Sequence, residues 1–250
     1  MDGRILVGVD GSGPSLAALR WATDFARDDS YDLVLEHVVD TSGRPSASVL
    51  ADAAAQATAV GRRSTQVLAH GVPEHALVTA GEPGDLLVIG THKTGFLRGR
   101  VMGTRGVSIA TTARCSVVVV PEVYSLRAGR VVVGVASGDR SASAVVAAAR
   151  FATRHQQELV LVHASEDADE VTGAEVLEWA ATVAASAAPG VTIRRRSSRR
   201  RVADALLDAS RVASLLVIGG DRAASGHAGG LGAVISEVLL NLNSPVMIVR

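Results

Sequence analysis

The sequence repeats itself, and the repeat limits what the chain can fold into more than any other feature. Ile5, Leu6, Val7, Gly8, Val9 and Asp10 return 126 residues later as Val131, Val132, Val133, Gly134, Val135 and Ala136. Leu33, Val34, Leu35, Glu36 and His37 return at the same spacing as Leu159, Val160, Leu161, Val162 and His163, and Phe25 with Ala26 as Phe151 with Ala152. Further on the spacing becomes 129: residues 86–90 match 215–219, Gly103 matches Gly232, and 117–120 match 246–249. An insertion of three residues therefore lies between His163 and Leu215. Whatever the fold is, each half must encode it, which predicts two homologous domains at residues 1–122 and 129–250. Pro121 and Gly129 punctuate the short joint between them.

Within each half, short apolar runs alternate with helical patterns. Residues 5–9, 33–39, 66–69, 86–90 and 117–120 are almost continuously apolar, as parallel strands covered on both faces require. Residues 15–28 carry Leu16, Leu19, Ala22 and Ala26 at helical spacing behind Pro14, which suits a first helical position because its missing N–H has no partner to lose there. Residues 46–62 are rich in alanine, a strong helix former. Strands linked through helices imply right-handed crossovers, hence an α/β fold with an open parallel sheet of about five strands and helices on both faces. Ligands on such sheets sit beyond the carboxyl ends of the strands.

Composition narrows the function classes. Twenty-five basic residues balance twenty-five acidic ones, so no net field draws the chain to nucleic acid or to an anionic membrane, and any charged partner must be recognised locally. One cysteine cannot form an internal disulfide, which fits a reducing compartment. The apolar stretch at residues 5–10 is too short for a secretory signal and lacks a cleavage site, and no segment approaches the ~20 apolar residues that span a bilayer. A cytoplasmic protein is the expectation.

Two strand ends carry chemistry. After the first strand, Asp10 begins the turn Gly11, Ser12, Gly13, Pro14, where its carboxylate can accept from ribose hydroxyls or can cap the turn and helix. After the fourth comes a loop from Gly90 through Thr91, His92 and Lys93 to Gly103 and Thr104, with a helical stretch behind it. Glycines leading into a helix N-terminus offer backbone N–H groups and a dipole to an anion, and the Thr104 hydroxyl adds a donor. Lys93, Arg98, Arg100 and Arg105 surround it with positive charge. The spacing is neither that of a P-loop nor that of a dinucleotide fingerprint.

A glycine loop of the form G-x2-G-x9-G-[ST] after the fourth strand, with an aspartate closing the first, resembles the nucleotide loop of the universal stress protein family, and the duplication resembles its tandem two-domain members. The resemblance spans nearly the whole chain. It implies in each domain a Rossmann-like sheet of order 3-2-1-4-5, of the adenine nucleotide alpha hydrolase type, and it implies binding of ATP, with Mg2+ carried by the phosphates. Asp10 would then hold the ribose, Val9 and Val38 would line the adenine pocket, and Gly90, Gly103 and Thr104 would cradle the phosphates; His92 either approaches a phosphate or makes a plain loop contact. Two positions depart from the pattern. Lys93 stands where the second glycine belongs, and either adds charge to the phosphate site or blocks it; Gly106 replaces a second small hydroxyl.

The second half departs further. Ala136 stands for Asp10 and Ala233 for Thr104, so both a ribose acceptor and a phosphate donor are missing. An ATP-binding stress-response regulator is therefore expected, with its site in the first half and the second half completing an intramolecular pseudo-dimer through residues 117–120 and 246–249. The alternative is a nucleotide-independent interaction scaffold with decayed sites. A protein partner or homo-oligomer fits either reading.

Other features are structural by default. Six arginines at 194–201 lack interleaved aromatics, which favours a solvated edge over a nucleic-acid surface, and acidic residues at 166–170 are one source of neutralising charge. His37 and His163 occupy equivalent positions without metal-ligand spacing, which suggests a shared packing or strand-end role. Cys115, whose repeat partner is Ser244, reads as a buried thiol. No nucleophile and base stand at a recognisable catalytic spacing, so the expectation is a binding protein and not an enzyme.

Overall fold

The computed structural model describes residues 3–26, 31–40, 47–91, 104–125, 129–136, 141–166, 170–220 and 231–250, without the side chains of Ala47, Thr104, Glu170, Val171 and Leu231. The chain divides into two compact units, Met1–Val123 and Tyr124–Arg250.

The first unit runs β1 (Ile5–Gly8), α1 (Gly13–Phe25), β2 (Leu33–Val39), α2 (Ala47–Ala59), β3 (Ser64–His70), α3 (Pro73–Ala80), β4 (Leu86–Thr91), α4 (Thr104–Thr112) and β5 (Ser116–Pro121). Its strands pair in parallel in the order β3-β2-β1-β4-β5. The order reverses between β1 and β4, which opens a crevice at their carboxyl ends. Ile5, Val7, Leu35, Leu87, Val88 and Val117 are fully buried, as strands covered on both faces must be.

Two glycines show how the helices close on opposite faces of this sheet. Gly8 lies beneath α3, where an added Cβ would stand 3.2 Å from Leu77 Cδ1. Gly90 is one residue beyond Ile89, which shares the Gly8 face, so it looks the other way, onto the first turn of α1. That turn starts at Gly13, two residues earlier than the apolar spacing predicts, because Ser12 has extended backbone and its hydroxyl accepts from Ser15 N–H. Further along, α1 buries Leu19, Trp21 and Phe25, and Trp21 stacks on Phe25 at 5.1 Å. A fully buried side chain of this size contributes about 1.5–3 kcal/mol. Helix α3 is absent from the sequence reading; it has eight residues and buries only Leu77, too little periodicity to see.

The second unit repeats the plan as β6 (Arg130–Gly134), α5 (Ala142–Arg154), β7 (Glu158–Ala164), α6 (Glu170–Ala187), β8 (Ile193–Ser198), α7 (Val202–Ser210), β9 (Leu215–Gly219), α8 (Leu231–Leu240) and β10 (Val246–Val249). Its order is β10-β9-β6-β7-β8, again parallel. Gly134 lies under Leu206 as Gly8 lies under Leu77, with the same 3.2 Å approach. The insertion falls at α6, which has 18 residues against 13 in α2. Gly61 and Gly190, which follow the two helices with positive φ, already stand in the later register. Among the described residues, no helix is long and apolar enough to cross a membrane.

Candidate functional site

The crevice begins where β1 stops. Val9 is buried, and its N–H donates to the Glu36 carbonyl at 2.9 Å. Its own carbonyl takes a hydrogen bond from a side chain, with His37 Nδ1 at 2.8 Å, which is why the strand ends one residue earlier than its apolar run. Asp10 follows, exposed at the sheet edge, and its Oδ1 accepts from Ser12 N–H at 2.9 Å across a turn in which Gly11 has φ +79°. That is an Asx turn, so the turn-capping role is present while the carboxylate remains at the rim. Val38, near the carboxyl end of the neighbouring β2, is half-buried.

Gly90 forms the opposite wall. A Cβ there would overlap the Pro14 carbonyl and stand 2.8 Å from Ser15 N, so the end of β4 and the start of α1 meet backbone to backbone. Only glycine permits this approach. His92 and Gly103 lie outside the described residues, as do Lys93, Arg98 and Arg100. Thr104 is the first residue of α4, so a helix N-terminus faces the end of that loop. Of the four cations read around the loop, Arg105 is described, and its Nε pairs with Glu74 Oε1 at 3.0 Å.

Two carboxylates escape the sequence reading. Glu122, just after β5, lies against Gly13 at the N-terminus of α1, in the volume a Cβ on Gly13 would need. Glu36 is only 3% exposed, on the sheet face that carries Gly8 and Leu77, and burial pushes its carboxyl above the usual range while the Arg4 charge pulls it back in part. The signal is there to be found: Glu36 interrupts an apolar run whose repeat holds Val162.

The second unit keeps the frame and loses the chemistry. His163 Nδ1 stands 2.9 Å from Val135 O, and Ala136 N–H donates to Ser141 Oγ at 2.8 Å, matching the bond from Asp10 N–H to Ser15 Oγ. Yet Ala136 has no carboxylate. After β9, Gly220 is packed so that a Cβ would stand 2.6 Å from Ile248 Cγ2, and the Arg250 guanidinium donates to its carbonyl. Residues 221–230 lie outside the described residues.

The arginine run is largely neutralised. Arg194 pairs with Glu158 at 3.0 Å, Arg195 with Glu178 at 2.9 Å, Arg201 with Glu237 at 2.8 Å, and Arg200 with Asp208, whose carboxyl it holds below the usual range. These four carboxylates come from β7, α6, α7 and α8; of the acidic stretch at 166–170, residues 167–169 lie outside the described residues. Arginines along an edge strand also deter strand-to-strand aggregation.

Comparison with known proteins agrees with this frame. The family model described as the universal stress protein family matches residues 1–121. A universal stress protein of Mycobacterium tuberculosis is 27% identical over 288 residues, an alignment that covers 98% of this chain and 96% of that protein. One from Mycolicibacterium smegmatis is 28% identical over 284 residues with the same coverage. Among solved structures, a universal stress protein from Archaeoglobus fulgidus superposes with a TM-score of 0.82 over 99% of this chain and 98% of that one; at 18% identity, that is a likeness of fold.

Proposed function

Because the chain belongs to the universal stress protein family, we propose that its first unit binds an adenine nucleotide, ATP with Mg2+ carried on the phosphates, in the crevice between β1 and β4. The observation that carries this reading is an asymmetry between two otherwise matching frames. The first unit presents an exposed carboxylate, Asp10, beside the backbone-tight Gly90, whereas the second has Ala136 at the same place.

Each residue takes the role that the family resemblance implies. Asp10 accepts hydrogen bonds from the ribose hydroxyls, and Val9 and Val38 form the apolar wall for the base. Gly90, Gly103 and Thr104, the last of which opens α4, cradle the phosphates, and His92 either approaches a phosphate or makes a plain loop contact. The task is binding and reporting of nucleotide status in a cytoplasmic stress response, not catalysis. On this reading the second unit has exchanged nucleotide chemistry for the part of a permanent partner that completes an intramolecular pseudo-dimer.

The Arg105 to Glu74 ion pair, which occupies one cation beside the loop, favours a second reading, in which the nucleotide sites have decayed and the fold is a nucleotide-independent interaction scaffold. Calorimetric titration of the full chain with MgATP separates the two. Nucleotide binding predicts a saturable heat that Asp10→Ala weakens by about tenfold or more, equivalent to about 1.4 kcal/mol. No heat in the wild type, or binding unaltered in Asp10→Ala, overturns it in favour of the scaffold.

A further inference from the structure

The end of β1 is held by a clasp. The Val9 N–H bonds to the Glu36 carbonyl at 2.9 Å and the Val9 carbonyl to His37 Nδ1 at 2.8 Å, so the peptide groups on both sides of Val9 are tied to β2. A carbonyl only accepts, so Nδ1 carries the proton and donates. Side chains alternate along a strand, which puts His37 on the face opposite Val38. The ring therefore works from behind the pocket wall. What it fixes is the Val9–Asp10 peptide, and with it the start of the turn from which the Asp10 carboxylate projects.

The second unit supplies an internal control. His163 Nδ1 makes the same bond to Val135 O at 2.9 Å, and Val135 N–H bonds to Val162 O at 2.8 Å. The clasp is equal in both units, but the residue it holds is Asp10 in one and Ala136 in the other. Loss of the clasp thus frees the equivalent peptide in either unit and disturbs a carboxylate in only one.

We propose that His37 is a positioning residue for nucleotide recognition, one that sets the Asp10 carboxylate at the height of the ribose by fixing the Val9 carbonyl. This rests on the nucleotide-binding reading above and deepens it. Its signature is selectivity for ribose hydroxyls, because only Asp10 reads them, and a general loss of stability does not change the ratio of two ligands' affinities.

The test is calorimetry on the full chain with MgATP and with its 2′,3′-dideoxy analogue, alongside thermal unfolding. Wild type favours ATP, and Asp10→Ala loses the preference. His37→Leu, without a donor, is expected to cut the ATP:dideoxy affinity ratio by about fivefold to tenfold, the equivalent of about one hydrogen bond. His37→Asn, whose amide keeps a donor near the Nδ1 position, holds the ratio within about twofold of wild type. His163→Leu removes the same bond in the second unit and leaves the ratio alone. If His37→Leu does not fold, His37→Gln carries the test: its donor sits one methylene further out, and an intermediate ratio is expected. ATP binding in the wild type with an unchanged ratio in His37→Leu, or in the Gln variant standing in for it, overturns the positioning role alone. A wild type that binds no ATP overturns the nucleotide reading and this inference with it.

Discussion

Arg4 and Asp85 are joined at the amino-terminal edge of the first sheet, where Arg4 Nη2 donates to Asp85 Oδ2 at 2.7 Å and the backbone N–H of Arg4 donates to Oδ1 at 2.9 Å. Glu82 N–H adds a further bond, to Oδ2, at 3.0 Å. One carboxylate thus ties the start of β1 to the turn before β4. The second unit solves the same problem without charge: Ser214 Oγ donates to the Arg130 carbonyl at 3.0 Å. Burial pushes the Asp85 carboxyl up, but the Arg4 guanidinium and the two backbone donors outweigh it and hold it below the usual carboxylate range. A depressed carboxyl stabilises the fold above its unfolded-state pKa, and that stability is lost as pH falls through the folded value. Asp85→Asn should cost the first unit about 2 kcal/mol at neutral pH, the scale of a charge-assisted hydrogen bond, and should flatten its acid-side decline. Urea unfolding followed by Trp21 fluorescence in a Trp179→Phe background isolates that unit; equal stability of variant and parent at pH 7 would count against this account.

Glu36 predicts the opposite pH trend. Its carboxyl is raised by burial, so both folded and unfolded chains are protonated at low pH and its penalty is absent there. As pH rises from the ordinary carboxylate range through the raised folded value, the unfolded chain ionises first and stability falls. Glu36→Val, copying Val162 of the repeat, should stabilise the first unit by about 1–2 kcal/mol at neutral pH. Glu36→Gln should remove the pH dependence and recover less, since an amide remains buried. The same fluorescence assay from pH 4 to pH 8 reads both; a parent-like slope in Glu36→Val removes Glu36 as its source.

How far the sequence discloses this molecule depends on whether an interaction is local. Four strands of each unit are legible because their apolar runs are nearly unbroken and the repeat states twice where each lies; the edge strands β3 and β8 are largely exposed, so residues 66–69 are not covered on both faces as their apolar run suggests. Asp10 and Gly90 are legible as site candidates because they directly follow such runs. The clasp is less so: a histidine near the end of one apolar run says nothing about a carbonyl on a different strand, and only its recurrence as His163 marks it. The partners of the arginine run are equally distant, with Arg194 meeting Glu158 and Arg201 meeting Glu237 across elements that the fold alone brings together. Glu36 is easily passed over because an apolar strand pattern tolerates one exception, and the cost of that exception shows only once its surroundings are seen to be apolar.

Ser244 is the repeat partner of Cys115, and the two differ in how well they suit burial. Cys115 is 1% exposed, with its Sγ in the volume a Cβ on Gly81 would take. Ser244 is 2% exposed, and its hydroxyl has no hydrogen-bond partner among the described residues. A buried donor without a partner carries its full desolvation cost. Ser244→Ala should therefore stabilise the second unit by about 1 kcal/mol, seen by Trp179 fluorescence in a Trp21→Phe background. A loss of stability would mean that the hydroxyl is satisfied in solution.

Gly90 and Gly13 lie at the same crevice, yet they should respond differently to one added methyl group. At Gly90 a Cβ meets main chain, the carbonyl of Pro14 and the N–H of Ser15, and backbone at a capped helix start cannot step aside without moving α1. At Gly13 the Cβ meets the carboxylate of Glu122, the far end of a flexible side chain. Moving a strand or helix to relieve overpacking costs about 3 kcal/mol or more at a site this tight, whereas turning a glutamate rotamer costs about 1 kcal/mol at most. Alanine also gains at Gly13 from its better helix propensity, by up to about 1 kcal/mol. Gly13→Ala should thus unfold within about 1 kcal/mol of the parent, while Gly90→Ala loses several times that and, because it pushes apart the two walls that flank Asp10, loses MgATP binding even in the fraction that stays folded. Urea unfolding and calorimetry on both variants give four numbers. A Gly90→Ala protein as stable as Gly13→Ala would show that the contact between β4 and α1 is looser than its backbone packing requires.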